Sequence, residues 1–415
     1  MKRNNCRISG EPLTLVADFG KLYLSDFYKE KNIDLPKEPL RLGLGKKSGL
    51  AQLMDTADRD ILYRQYWYLS GTNLTMTRQL KNIVDTVPDW IKLKDGDYVL
   101  DIGANDGTLL NQYPNDIKLV KVGIDPAKNI AEKGREASDL HACDYFTQET
   151  YDGLAGKKKA KVITSIAMFY DLDDPSSFVK DIYNCLDDDG IWISQLSYTP
   201  LMLKQNAFDN IIHEHLEYYT LISVDKLLKE HDLKILNVEL NDTNAGSVRL
   251  TVAKNNNPVK DAMIFNKDIG QFNYNSFYNY EKKLGVDTEE AWHGFHERIV
   301  KLKDKTIKLL NDLRAQGKKV YGYGASTKGN TLLQYYGIDS SLITAIAERQ
   351  PQKYGTLAPG SWIPVISEKE MREAKPDYLF VLPWHFFNEF YKRESDFLKN
   401  GGKFIVPLPE LQIFE

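Results

Sequence analysis

The densest group of proton-handling side chains lies in Phe208-Asp209-Asn210-Ile211-Ile212-His213-Glu214-His215-Leu216-Glu217-Tyr218-Tyr219. Two of the chain's seven histidines stand there with acids and tyrosines. Such a set suits general acid–base work. His215 is the expected base, Glu214 orients it or binds substrate, and His213 completes the group. A base is useful where the acceptor is a carbon next to a carbonyl, because losing the α-proton gives an enolate whose oxygen charge needs donors. His-x-His also suits a metal, but zinc-hydrolase spacing and a nearby third ligand are missing, so no metal is assigned. The plainer alternative is a capped polar surface loop.

A second chemical signal is Val99-Leu100-Asp101-Ile102-Gly103-Ala104-Asn105-Asp106-Gly107. A strand ends in Asp101, Gly103 lets the backbone approach a ligand, and helix formers from Thr108 predict a helix with free N–H groups. The following strand ends in Asp125, where a carboxylate can accept both ribose hydroxyls. Asp144, in Cys143-Asp144-Tyr145-Phe146, can accept from an adenine amino group while the aromatics cover the ring. The dinucleotide turn Gly-x-Gly-x-x-Gly is absent, so S-adenosylmethionine fits better than a nicotinamide cofactor. Asp101, Asn105 and Asp106 can hold the methionyl amine and orient the turn, although Asn105 and Asp106 also suit helix capping.

These groups need a scaffold. The 415 residues allow two or three domains, and 42% hydrophobic with 27% charged residues is a folded, globular balance. With 54 basic against 58 acidic side chains, the net charge of −4 gives a polyanion no global attraction, so nucleic acid is not expected as a partner. Cys6, Cys143 and Cys185 are too few for a disulfide framework, which fits a reducing cytoplasm. No apolar h-region follows the first residues and no apolar run is long enough to span a bilayer, so neither secretion nor a membrane is expected.

Residues 1–60 read as a small irregular module with a marginal core. Residues 61–255 open with an amphipathic helix from Leu74 to near Pro88. β-rich runs at 98–103, 119–125, 162–166 and 190–194 follow, then a helix-strand unit at 224–240 and a strand at 247–253. That rhythm predicts parallel strands with helical crossovers, a doubly wound, Rossmann-like α/β domain. Residues 256–317 read as a helical connector. From 318 to 415 the rhythm restarts as a second Rossmann-like domain. It opens with Gly322-Tyr323-Gly324-Ala325-Ser326-Thr327-Lys328-Gly329-Asn330-Thr331, where Ser326, Lys328 and Asn330 at a helix start make a phosphate cradle or a domain-closing turn. The Gly-Lys-Ser/Thr ending of a P-loop is missing.

Together these segments resemble, over nearly the full length, the C-methyltransferases that act on nucleotide-linked deoxyketosugars. The carriers are Tyr66-Trp67-Tyr68-Leu69-Ser70-Gly71, Ile102 to Leu110, His213-Glu214-His215, Asn244 to Arg249, Gly324 to Leu333, and Leu382-Pro383-Trp384. The resemblance implies a zinc-type N-terminal module, a class I methyltransferase domain and a Rossmann-like C-terminal domain that helps hold a nucleotide sugar. It also implies Glu214 and His215 in the acceptor reaction, Tyr68 or Tyr66 beside donor and acceptor, and Arg249 toward the substrate. Where that family has four cysteines, this chain has Cys6, Ser9, Gly45 and Ser48, so a structural zinc is not expected. Ile212 replaces an active tyrosine, and Asp171 stands where a histidine is frequent, leaving Tyr170 or Asp171 to supply the polar contact. The expected reaction is methyl transfer to a small-molecule acceptor, a nucleotide-linked ketosugar. The alternatives are O- or phosphate-methylation and a binding subunit without catalysis.

Overall fold

A computed structural model of the chain describes residues 1–64, 66, 68–72, 74–257 and 264–415. Trp67 of the aromatic segment and residues 258–263 of the connector lie outside these.

Short runs rich in β-branched residues form the central sheet: β4 (Tyr98–Ile102), β5 (Val120–Ile124), β6 (Leu140–Ala142), β7 (Ala160–Ile166), β8 (Leu186–Ser197), β10 (Leu233–Asn241) and β11 (Ser247–Lys254). Their order is β10-β11-β8-β7-β4-β5-β6. β4 pairs in parallel with both β5 and β7, and β10 and β11 close the far edge as an antiparallel hairpin. Buried side chains along β4, β5 and β7 suit strands covered on both faces. The chain leaves β4 toward β5 and β6, then returns to β7 on the other side. That reversal opens a crevice at the carboxyl ends of these strands, where open α/β sheets bind ligands. This is the predicted doubly wound domain.

One local expectation fails. No α-helix begins at Thr108; the backbone makes only a 3-10 turn, Leu110–Gln112. Asp106 draws in Thr108 Oγ1 at 2.6 Å and Gly71 N at 2.8 Å, and Tyr113 is extended before Pro114, which disfavours helical backbone in the preceding residue. Gly107 has φ +73°, and a Cβ there would stand 2.2 Å from Ala137 Cβ, so this corner tolerates no side chain.

The N-terminal segment is more regular than its composition predicts. β1 (Thr14–Tyr23), β2 (Lys37–Leu44) and β3 (Ala51–Leu53) form an antiparallel sheet completed by β9 (Glu217–Tyr218). The sheet thus borrows a strand adjoining the histidine segment. Its marginal core is extended by sharing: Phe19, Leu40 and Leu42 pack in one cluster with Phe208, Trp292, Leu332 and Phe380. Cys6 Sγ lies 3.1 Å from Ser48 Oγ, and a Cβ on Gly45 would stand 3.0 Å from that sulfur.

Two helices, Ile264–Leu284 and Glu289–Ala315, lead to the last sheet. Its strands are β12 (Val320–Tyr323), β13 (Ile346–Glu348), β14 (Val365–Ser367), β15 (Tyr378–Val381), β16 (Lys403–Val406) and β17 (Gln412–Phe414), ordered β14-β13-β12-β15-β16-β17 and parallel except for β17. Among the described residues no helix is long and apolar enough to cross a membrane. Trp292 is fully buried, meets Tyr218 of β9 edge-on at 6.1 Å and donates Nε1 to Val286 O at 3.0 Å. Trp292→Ala is expected to cost about 3–5 kcal/mol of stability, read as a fall in urea midpoint. A midpoint within experimental error of the parent would show that this helix is not part of the shared core.

Candidate active site

A cavity of about 950 Å³ runs from the ends of β4, β5 and β7 to the second Rossmann-like domain. At one end stands Asp101, buried, accepting Thr164 Oγ1 at 2.6 Å. Burial, reinforced by the charge of Asp125, pushes its carboxyl up to about 7 although Thr164 opposes the shift. Asp125 accepts the backbone N–H groups of Asn105 and Ala127, each at 2.8 Å, which fixes its carboxylate at the crevice. Burial raises its pKa and those two bonds oppose the rise. Gly103 has φ +70°, and a Cβ there would lie 3.2 Å from Met168 Cγ, narrowing the cleft. Tyr145 and Phe146 line the adjoining wall, with the Arg59 guanidinium 4.0 Å above the Tyr145 ring.

Other donor-side residues have different positions. Asn105 lines the cavity but spends its side-chain amide on the aromatic segment, donating to Tyr68 O at 3.0 Å and accepting from Ser70 N at 3.1 Å. Asp106, bonded to Gly71 N and Thr108, lies off the wall and ties the same segment down. Asp144 is exposed, 3.6 Å from Arg64, and also off the wall. Tyr66 and Tyr68 do line the cavity. The backbone of Tyr66 is paired at both ends with the Asn129 amide.

At the opposite end Glu214 and His215 face the same space. Burial drives their protons in opposite senses: Glu214 is raised to about 7, with Lys328 opposing, and His215 is lowered to about 3 by burial and then by the Lys328 charge. His215 Nδ1 lies 2.8 Å from Asn210 O, a carbonyl that can only accept, so Nδ1 carries the hydrogen and Nε2 keeps a lone pair. The Tyr170 ring meets the imidazole edge-on at 4.5 Å, and Tyr63 donates to Glu214 O at 2.7 Å. His213 is deeply buried with Nε2 3.1 Å from Glu38 O on β2, a tie to the N-terminal sheet.

From the second domain, Ser326, Lys328, His385 and Phe386 complete the wall. Lys328 Nζ donates to Asn210 Oδ1 at 2.5 Å. Ser326 Oγ caps its helix, Thr327–Tyr336, by accepting Gly329 N at 3.0 Å. The two glycines of this turn pack against protein, as a domain-closing turn requires: a Cβ on Gly324 would meet Pro383 at 2.6 Å, and one on Gly329 would meet Leu382 at 2.8 Å. Asn330 is buried away from the wall and donates to Asp26 O at 3.1 Å. Arg249 is also buried off the wall, bonded to Asn82 at 3.0 Å and to Gln195 at 3.2 Å, so only its partner Gln195 reaches the cavity. Tyr63 and Met168 carried no motif signal. Asp209 and Asn210 stood in the histidine segment without an assigned role, and Trp384 of Leu382-Pro383-Trp384 donates Nε1 to Asp209 Oδ2 at 3.0 Å.

The sheet order, with carboxylates at two adjacent strand ends facing one cavity, defines a class I methyltransferase fold. A methyltransferase-domain model matches residues 73–238, and a model described as the C-methyltransferase C-terminal domain matches 242–409. The chain is an S-adenosylmethionine-dependent methyltransferase. It is a homologue of the C-methyltransferase NovU of Streptomyces niveus, with 28% identity over 99% of this chain and 96% of that protein. Among solved structures it is similar to an S-adenosylmethionine-dependent methyltransferase of Clostridium acetobutylicum ATCC 824 (14% identity, 43% of this chain, 92% of that one, TM-score 0.34). The plantazolicin methyltransferase BpumL, solved with SAH, matches at 11% identity over 45% of this chain and 87% of its own, with a TM-score of 0.35.

Proposed function

We propose that the enzyme methylates a carbon next to the ketone of a nucleotide-linked ketosugar, through an enolate. The observation that carries this reading is the Glu214–His215 pair on the cavity wall across from the strand-end carboxylates. Oxygen acceptors rarely need a carbon acid's base, whereas α-proton removal does. The full-length likeness to a protein named a C-methyltransferase supports the same reading. Three free thiols, Cys6, Cys143 and Cys185, suit a reducing cytoplasm.

S-adenosylmethionine supplies the electrophilic methyl group. Asp125 would accept its ribose hydroxyls, Asp101 its ammonium, and Tyr145 with Phe146 would cover the adenine. The close turn at Gly103 and the buried carboxyl of Asp101, held up near 7 chiefly by burial, suit that ligand. On the acceptor side, Glu214 is the better-matched base: a carboxyl held near 7 both accepts and releases a proton at neutral pH, while an imidazole held near 3 is weakly basic. Neutral His215 then orients the substrate through Nε2, and Tyr66 and Tyr170 exclude water.

Incubation with the donor and a panel of nucleotide-linked ketosugars should give a methyl mass increment. With S-adenosylhomocysteine in place of the donor, deuterium from solvent should enter the α-carbon. A mass increment without exchange would instead mean O-methylation. Donor-side chemistry has its own pH test. Below about 7 Asp101 is protonated in the free enzyme and cannot pair with an ammonium, so affinity for S-adenosylhomocysteine should strengthen as pH rises toward that value. The expected slope approaches tenfold per pH unit well below it, and Asp101→Asn should flatten it. Calorimetry showing the same slope in the variant would place the ammonium elsewhere.

A further inference from the structure

The enolate reading leaves one requirement unmet. The carbonyl oxygen gains a full negative charge as the α-proton leaves, and a water-excluded site must supply a donor aimed at it. The candidates are the cationic side chains of the cavity wall. Arg59 sits at the donor end, stacked on Tyr145 at 4.0 Å. Lys328 sits at the acceptor end, on the first turn of the helix Thr327–Tyr336, among Glu214, His215 and His385.

We propose that Lys328, contributed by the second Rossmann-like domain, is the electrophile that binds the acceptor's carbonyl oxygen and stabilises the enolate. The proposal rests on the enolate reading and extends it to a residue of another domain. Three observations support it. First, Lys328 and the acid–base pair share one anchor: Asn210 accepts Lys328 Nζ on its side-chain oxygen at 2.5 Å and pairs with His215 Nδ1 through its main-chain oxygen at 2.8 Å. One residue therefore holds the ammonium and the imidazole at the same end of the cavity, where the Lys328 charge also acts on Glu214, so a cation and a base face one acceptor. Second, the glycine turn beside Lys328 is packed against Pro383 and Leu382, and Ser326 is engaged as the helix cap, so this turn is poorly built for a diphosphate. Third, the charges of buried Asp209 and of Glu214 act on Lys328 and favour its protonated form, against the burial that lowers its pKa. Those acids would repel a phosphate, whereas a neutral ketone that becomes anionic only during reaction suits a cation already balanced in the ground state.

The step balances within the site. The Glu214 carboxylate takes the α-proton, the C–H pair becomes the new C=C bond, and the carbonyl π pair moves onto the oxygen facing Lys328 Nζ. On methylation the enolate carbon uses that pair to form C–C, the carbonyl re-forms, and Lys328 keeps its proton throughout.

The test uses the full chain with S-adenosylhomocysteine and whichever nucleotide-linked ketosugar of the panel gains a methyl group. Solvent exchange of its α-proton is followed by NMR above the pH at which Glu214 has ionised, so that a shifted Glu214 cannot mimic the effect. Lys328→Met should slow exchange and methyl transfer together by about 10²–10³-fold, the loss typical of removing an oxyanion donor. KM should change only a few-fold and S-adenosylhomocysteine affinity should hold. Lys328→Gln, which keeps a donor toward Asn210 but no charge, carries the test if methionine is not tolerated. Exchange at the parent rate, or a rise confined to KM, overturns the role of Lys328 and leaves enolate formation standing. No exchange by the parent enzyme on a sugar that it methylates overturns the enolate reading and this role with it.

Discussion

Glu214→Gln should lower methyl transfer by about 10²–10⁴-fold while S-adenosylhomocysteine still binds with parental affinity. The substitution keeps the side chain's size and removes the lone-pair basicity that takes the α-proton. In the parent enzyme, the acid limb of kcat should fall where Glu214 gains its proton, near 7, because burial destabilises the carboxylate more than the Lys328 charge restores it. The sign is fixed: activity rises with pH through that value, since only the ionised form is a base. If His215 were the base, the group held near 3 would leave the profile flat across the neutral range. A flat profile, or a glutamine variant within tenfold of the parent, would move proton abstraction away from Glu214.

The second large effect belongs to the donor end. Asp125→Ala should weaken S-adenosylhomocysteine a hundredfold or more, on the order of 3 kcal/mol, by calorimetry. Two losses combine. The ribose hydroxyls lose a charged acceptor, and the N–H groups of Asn105 and Ala127 lose the carboxylate that each reaches at 2.8 Å. Asn105 in turn holds Tyr68 and Ser70, so loosening it also frees one wall of the cavity. Asp144→Ala makes the informative control, because that side chain is exposed and off the wall, and its loss should change affinity less than threefold. Equal losses in the two variants would show that the adenosine end lies nearer Asp144 than the cavity suggests.

The contrast between Asp125, on the cavity wall, and Asp144, off it, shows which side-chain positions are legible in sequence. Asp101 and Asp125 end strands whose hydrophobic runs announce themselves, and a strand end in an open parallel sheet points at the crevice whatever else the chain does. Asp144 follows a three-residue strand, and the direction of its side chain depends on loop geometry and on Arg64, eighty residues earlier. The helix expected after Gly107 is missing for a related reason. A local reading credits helix formers with a helix, but an Asp that reaches Gly71 across the fold, with Pro114 just downstream, makes a turn cheaper than a helix. His213 lines the same cavity as His215, and only the approach of β2, whose Glu38 carbonyl lies 3.1 Å from its Nε2, shows that it also ties the segment to the N-terminal sheet.

What the amino-acid sequence determined by itself was the alternation of strands and helices, the two strand-end carboxylates and the concentration of His213, Glu214 and His215. Each depends on residue type and short spacing, which local sterics and hydrophobic periodicity translate directly into structure. Tertiary structure alone decided that residues 14–53 build a sheet completed by Glu217–Tyr218 and that Asn210 meets Lys328, 118 residues further on. It also decided that burial splits Glu214 and His215 to about 7 and about 3. Those outcomes arise from desolvation and from contacts between distant segments. Both are set by which surfaces the folded chain brings together, and no local pattern encodes that.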